Sequence, residues 1–158
     1  KNNLIKMNLH IRPSEPDDFL EIAALDRIAW GSNSNSEFIP DGEHVWRIWC
    51  ESALMFTALL EEQIVGAILA FPCLNDTFCI HKVFVHPDNR SQKIGAKLFE
   101  ALNKELDKLQ KEGWLTVSPD NENARKLYGK WGFTHETFYK GYYRSYEDRY
   151  VLMRKASK

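Results

Sequence analysis

The residues best suited to chemistry lie in one run, Val83-Phe84-Val85-His86-Pro87-Asp88-Asn89-Arg90-Ser91-Gln92-Lys93-Ile94-Gly95-Ala96-Lys97-Leu98. An apolar strand leads into a polar turn, and the small residues Gly95 and Ala96 stand where a long amphipathic helix begins. The first turn of a helix carries N–H groups without intrahelical partners and a partial positive charge, which together suit a diphosphate. Gly95 lets backbone approach a ligand closely, and Arg90 and Lys93 add cationic side chains. An ordinary strand–loop–helix connection with one glycine near the helix start accounts for the same residues equally well.

A second constellation follows: Asn121, Ala124, Tyr128, Gly132 and Phe133. Asn121, near a helix start, can cap backbone N–H groups or bond an amide of a ligand. Tyr128 is either a packed aromatic with a satisfied hydroxyl or a phenol that donates a proton. His81 lies two residues from Cys79, on the same face of a strand, and an unperturbed imidazole pKa of ~6.5 suits a general base. A surface or structural histidine fits the same position. Asp120, Glu43 and His44 are further groups able to act through water.

The elements that must hold these residues can be read in turn. Leu9 to Pro13 alternates apolar and polar residues and suits a short first strand. Ser14 reads as the N-cap of a helix with Pro16 in its first turn, continuing through Phe19, Ile22, Ala23 and Leu25. Gly31 to Gly42 is rich in Ser, Asn, Pro and Gly and reads as a long loop. A helix from Glu43 to Ser52 follows, then strands Leu54–Glu61 and Gln63–Phe71 joined as a hairpin, and a strand Phe78–Val85. The long helix should run from Ile94 to Glu112 and stop at Gly113. Trp114–Val117 is a short strand, Asn123–Trp131 a helix closed by Gly132, and Thr134–Tyr143 and Arg149–Arg154 are the last strands. The resulting order, β-α-α-β-β-β-α-β-α-β-β, is an α/β (or α+β-like) fold: a mixed central sheet of about seven strands with helices on its faces. A doubly wound dinucleotide fold is excluded because the early strands lack intervening helices.

Composition sets the bounds. At 158 residues, with 44% apolar and 13% aromatic content, the chain suits one packed domain spanning residues 1–158. With 21 Lys and Arg against 22 Asp and Glu, its near-neutral balance offers no general attraction to nucleic acid or an anionic membrane. Cys50, Cys73 and Cys79 lack metal-ligand spacing, and an odd count closes no disulfide framework, so free thiols in a reducing compartment are expected. No apolar run approaches the ~20 residues of a membrane span, nor does the start contain a secretory signal, so a cytoplasmic protein is expected. Met7 is a possible initiator, with Lys1 to Lys6 an upstream extension.

Both constellations resemble a family. Val85-His86-Pro87 followed by Arg90-Ser91-Gln92-Lys93-Ile94-Gly95 is similar to the acetyl-CoA-binding segment of the GCN5-related N-acetyltransferases (GNAT), with signature Gln/Arg-x-x-Gly-x-Gly/Ala after V-x-P. Lys93 replaces the first glycine. Asn121-x-x-Ala124-x-x-Leu127-Tyr128-x-x-x-Gly132-Phe133 is similar to the family's later motif, N-x-x-A-x-x-L-Y-x-x-x-G-F. The resemblance implies a sheet splayed between its fourth and fifth strands, with acetyl-CoA as donor and no metal. It implies that backbone of Val83, Phe84 and Val85 binds the pantetheine arm and acetyl carbonyl. Ser91, Gln92, Lys93, Ile94, Gly95 and Ala96 would wrap the pyrophosphate with Arg90, and Tyr128 would protonate the departing thiolate.

The acceptor it implies is an amine of a small molecule or a protein N-terminus. Its wall would come from Trp30 to Trp49, where Trp30, Trp46 and Glu43 lead and Phe38, Trp49, Glu37 and Asp41 assist; packing as core is the competing role for these tryptophans. The carboxylates that relatives use as a base fall at Cys79 and at Thr116 here, so both are absent. The tail, Lys140-Gly141-Tyr142-Tyr143 with Glu147-Asp148-Arg149, resembles peptide N-terminal acetyltransferases, and its aromatics could form a homodimer edge. A non-catalytic acyl-CoA-binding regulatory module is the competing class, consistent with the missing carboxylate and with Lys93.

Overall fold

A computed structural model of the chain describes residues 8–32 and 39–158. Its strands are β1 (Leu9–Pro13), β2 (Leu54–Leu60), β3 (Gln63–Pro72), β4 (Phe78–Val85), β5 (Gly113–Val117), β6 (His135–Tyr139) and β7 (Arg149–Arg154). Its helices are α1 (Phe19–Gly31), α2 (Glu43–Ser52), α3 (Ile94–Leu109) and α4 (Glu122–Lys130). The strands form one seven-stranded mixed sheet in the order β1-β2-β3-β4-β5-β7-β6. The expected element order and the mixed α/β class are therefore observed.

Chain contacts divide into two compact units, Lys1–Leu69 with Lys82–Leu102, and Ala70–His81 with Asn103–Lys158. In the first, β1 pairs antiparallel with β2, Leu9 opposite Leu60 and Pro13 opposite Phe56. Glu61 and Glu62 both take positive φ, 49° and 66°, as a two-residue hairpin between β2 and β3 requires. The core of this unit gathers Ile22 and Ala23 of α1, Trp46 and Cys50 of α2, and Met55, Ala67 and Leu69. Ser14 does not cap α1: its N–H donates to Met55 O at 3.0 Å and its hydroxyl bonds Thr57. A 3₁₀ turn, Pro16–Asp18, precedes the helix instead, and the Asp18 carboxylate accepts the Glu15 N–H at 2.8 Å. Arg12 grips the same carboxylate at 2.7 and 3.1 Å. Burial works to raise the Asp18 pKa, but the Arg12 and Glu15 bonds outweigh it and hold the carboxyl below its ordinary range.

In the second unit, β4 and β5 run parallel with a ladder of Phe78 opposite Gly113 and Cys79 opposite Trp114. β7 pairs antiparallel with β5 on one side and β6 on the other. Here two expectations are corrected. Strand β6 stops at Tyr139, because Gly141 turns the chain at φ 59° and its N–H donates to Asp148 Oδ1 at 2.8 Å. Helix α3 ends at Leu109 with Gln110 in the left-handed region at φ 54°, so Gly113 is not its terminator.

Gly113 opens β5, and packing explains the residue. A Cβ there would stand 2.9 Å from Leu106 Cδ1 and 3.2 Å from Ile80 Cδ1, closer than carbon atoms normally approach. Gly113→Ala should therefore destabilise the chain by about 1–3 kcal/mol through overpacking, seen as a lower urea midpoint with an unchanged m-value. An unshifted midpoint would mean that Leu106 and Ile80 swing aside without cost.

Candidate functional site

Strand β4 carries a charge into the interior. Lys82 is buried at 9% exposure, and its Nζ lies 2.9 Å from both carboxylate oxygens of Asp26 on α1. The same ammonium donates to Ile39 O at 2.8 Å and pairs with Asp41 Oδ2 at 2.9 Å. Asp26 in turn accepts the Asp41 N–H at 2.8 Å and the Trp46 indole N–H at 3.2 Å. On the same strand face, two residues on, the Phe84 ring meets the Trp46 ring edge to face at 5.7 Å. Sequence reading passed over Lys82 and Asp26. The available signal was a lysine among the apolar alternation Phe78, Ile80, Lys82, Phe84, matched by an aspartate in the apolar stripe Ile22, Ala23, Leu25, Asp26, Ala29.

Beyond Val85 the chain enters a 3₁₀ turn, Pro87–Gln92, anchored by His86, whose N–H donates to Val65 O at 2.7 Å. The His86 Nδ1 accepts the Asp88 N–H at 3.1 Å and caps this turn. Lys93 then adopts φ 57° and ψ 28°, the left-handed region that the replaced glycine would occupy freely. Its side chain is exposed. Helix α3 follows, and the Lys97 N–H bonds Lys93 O at 3.2 Å. The N–H groups of Ile94, Gly95 and Ala96 precede that bond in the helix's first turn, where a helix supplies no carbonyl. Ile94 is fully buried, whereas a Cβ on Gly95 would meet nothing within 4 Å. A first turn with open space at Gly95, flanked by Arg90, Lys93 and Lys97, fits an anionic diphosphate. Arg90 meanwhile donates to the Ser32 hydroxyl at 2.9 Å.

The second unit holds the remaining candidates for chemistry. Asn121 is the N-cap of α4, its Oδ1 accepting the Ala124 N–H at 3.1 Å. Tyr128 stands on α4 with Trp131 and Phe133 edge to face at 6.0 and 6.4 Å. Burial pushes its phenol pKa upward, so it keeps its proton through the neutral range and can serve as a proton donor. His81 is exposed on β4, 6.1 Å from the Phe71 ring. Cys79 is buried and its thiol is pushed up to about 12, first by burial and then by Cys73, so it cannot serve as a base near neutrality. The Thr116 hydroxyl bonds the Tyr143 hydroxyl at 2.8 Å.

The acceptor candidates fare unevenly. Trp46 has no exposed surface and belongs to the core, which removes its indole from any wall. Trp30 is 43% exposed at the end of α1, while Trp49 packs against Trp46 at 5.1 Å. Glu43, at the start of α2, pairs with Arg27 at 3.7 Å, and Asp41 is committed to Lys82. Glu37 and Phe38 lie outside the described residues, as do Lys1 to Met7. Among the described residues there is no group of three His, Cys, Asp or Glu placed to hold a metal, and no helix is long and apolar enough to cross a membrane.

Comparison with known proteins settles the family. The family model for the acetyltransferase (GNAT) family matches residues 20–133, which contain both the Val83–Leu98 and the Asn121–Phe133 segments. The chain belongs to the GNAT acetyltransferase family. A search of curated proteins finds no match. Among solved structures, the GNAT chain is similar to the ribosomal-protein-S18-alanine N-acetyltransferase of Escherichia coli, with TM-score 0.79, 24% identity and 96% of each chain covered. It also matches the diaminobutyrate acetyltransferase of Paenibacillus lautus in complex with L-2,4-diaminobutyric acid and coenzyme A, with TM-score 0.71 and 20% identity over 92% of this chain and 95% of that one. A third is the PaiA N-acetyltransferase of Thermoplasma acidophilum in complex with coenzyme A, with TM-score 0.68 and 16% identity over 94% and 99%. At these identities the likeness concerns the fold.

Within this GNAT domain the left-handed lysine has a measurable cost. Lys93→Gly should stabilise the ligand-free chain by roughly 0.5–1 kcal/mol, since relief of strain exceeds the added freedom of glycine in the unfolded chain. Thermal melting checks the sign; a lower Tm would mean that contacts of the lysine stem repay the backbone.

Proposed function

We propose that this GNAT domain transfers the acetyl group of acetyl-CoA to a primary amine of a small molecule or a protein N-terminus. The observation that carries the reading is the α3 entrance: a first turn with open space at Gly95, behind a cationic turn and after the strand segment Val83–Val85. Acetyl-CoA, when bound, supplies a thioester activated for attack. Val83, Phe84 and Val85 would hold the pantetheine arm through their backbone groups. Arg90 and the run Ser91, Gln92, Lys93, Ile94, Gly95 and Ala96 would hold the pyrophosphate, and Asn121 would order the start of α4.

The amine nitrogen attacks the thioester carbonyl directly in a ternary complex, forming the amide bond as the carbon–sulfur bond breaks. Tyr128 donates a proton to the leaving thiolate, a task suited to a phenol whose burial keeps it protonated, and the second proton that the attacking nitrogen sheds restores the phenol. His81, exposed on β4, is the side chain best suited by its chemistry to take the ammonium proton. Trp30 and Glu43 are the acceptor-wall residues that remain once Trp46 is assigned to the core.

The non-catalytic acyl-CoA-binding reading draws on two observations: a protonated Cys79 thiol and a hydroxyl-bonded Thr116, where relatives carry a carboxylate. Thiol release from acetyl-CoA across a panel of amines and N-terminal peptides separates the two, and turnover is the expected result. Stabilisation by acetyl-CoA with no thiol release from any amine would favour the binder.

Tyr128→Phe should lower kcat by about 10²-fold, with acetyl-CoA affinity retained. Because burial raises the Tyr128 pKa, the alkaline fall in kcat assigned to it should lie above pH ~10, the unperturbed phenol value, and vanish in the variant. His81→Ala should lower kcat with acetyl-CoA affinity retained; an unchanged kcat removes His81 from the mechanism.

A further inference from the structure

The Lys82 network is costly by construction. One carboxylate and one ammonium are withdrawn from water, with side-chain exposures of 8% for Lys82 and 5% for Asp26, and a second carboxylate, Asp41, joins them at 26% exposure. Desolvating such a group commonly cancels the attraction it gains, so apolar residues of similar volume in its place are often as stable or more so. The network's bonds converge on a short segment: Ile39 through its carbonyl, Asp41 through both its N–H and its carboxylate, and Trp46 through its indole. Lys82 and Asp26 thus supply several of the groups that anchor that segment. Lys82 is also the residue immediately before Val83, and Phe84 presses the same strand face onto Trp46. One charged node fixes β4 and the entry to α2 together, within a single unit.

We propose that the Lys82–Asp26–Asp41 network is a positioning device for acetyl transfer: it holds the Ile39–Glu43 segment against strand β4, where stability alone would be served by an apolar pair. Lys82 and Asp26 are positioning residues. They set the relation between the strand that receives the acetyl arm and the segment that starts α2, at whose first residue, Glu43, the acceptor candidates begin. The inference rests on the acetyl-transfer reading for its effect on rate, and not for its effect on structure.

The test replaces the ion pair as a unit. Asp26→Leu combined with Lys82→Met removes one charge of each sign and leaves Asp41, whose side chain is 26% exposed and so reaches water, in place. The double variant should melt close to the wild type. Hydrogen exchange of the Asp41 amide, slow while Asp26 accepts it, should become fast while the β2 and β3 amides stay protected. The rate of acetyl transfer should fall by about tenfold or more, mainly in kcat, as expected when reacting groups lose their fixed placement. Lys82→Arg, which keeps the charge, should recover part of both the protection and the rate.

Two results would overturn the proposal: a double variant that unfolds, which makes the network a folding requirement, or a folded one with Asp41 still protected and turnover unchanged. If the wild type turns over no amine, the acetyl-transfer reading fails separately. The exchange measurement on the same two proteins then decides whether Lys82 and Asp26 fix the segment.

Discussion

The first unit is organised around a charge largely withdrawn from water. Once Lys82 points inward from β4, its ammonium needs acceptors, and α1 and the Ile39–Asp41 segment supply them. Few other arrangements of these elements would satisfy it. Apolar contacts tolerate sliding, whereas a buried ammonium with several acceptors at 2.8–2.9 Å specifies distance and direction at once. The turn that follows β4 and the start of α3 inherit that fixed origin through a short length of chain. The candidate diphosphate cradle is thus held from behind by ions and in front by the His86 cap and its bond to Val65.

Much of this was legible in the residues, and the parts that were not have physical reasons. Strand β4 and the bounds of α2 and β7 follow directly from periodicity, because each is an apolar pattern bounded by turn residues. The α1 start was misplaced because Ser14 is a good cap by type, while in the fold its N–H and hydroxyl are taken by Met55 and Thr57. Gly113 was mistaken for a helix terminator because the sequence does not show that Leu106 and Ile80 fill the space a side chain there would need. At the site, spacing drew attention to the Val83–Ala96 run and to Tyr128, but not to the residues that orient the strand beneath. Trp46 illustrates the limit: its type suits either a wall or a core, and only burial distinguishes them.

On the proposed acetyl-transfer reading, the amine side of the site is chemically sparse. A thiol held at about 12 replaces one carboxylate, and a threonine bonded to a tyrosine replaces another. Thioester aminolysis needs a neutral amine more than it needs a strong base, so an amine of low pKa or an exposed imidazole such as His81 relieves the requirement. Of the acidic side chains that looked available in sequence, Asp41 is committed to Lys82, whereas Glu43 meets Arg27 only at 3.7 Å with about half of its side chain exposed.

The division into two units has a consequence for dissection of the chain. Each unit is assembled from two separated stretches, and β3, β4 and α3 pass from one to the other within single elements. No single proteolytic cut releases either unit intact, and no uninterrupted expression fragment contains only one of them. Melting of one would fray strands that the other also uses, so cooperativity is written into the connectivity of the backbone and does not depend on the strength of any one contact.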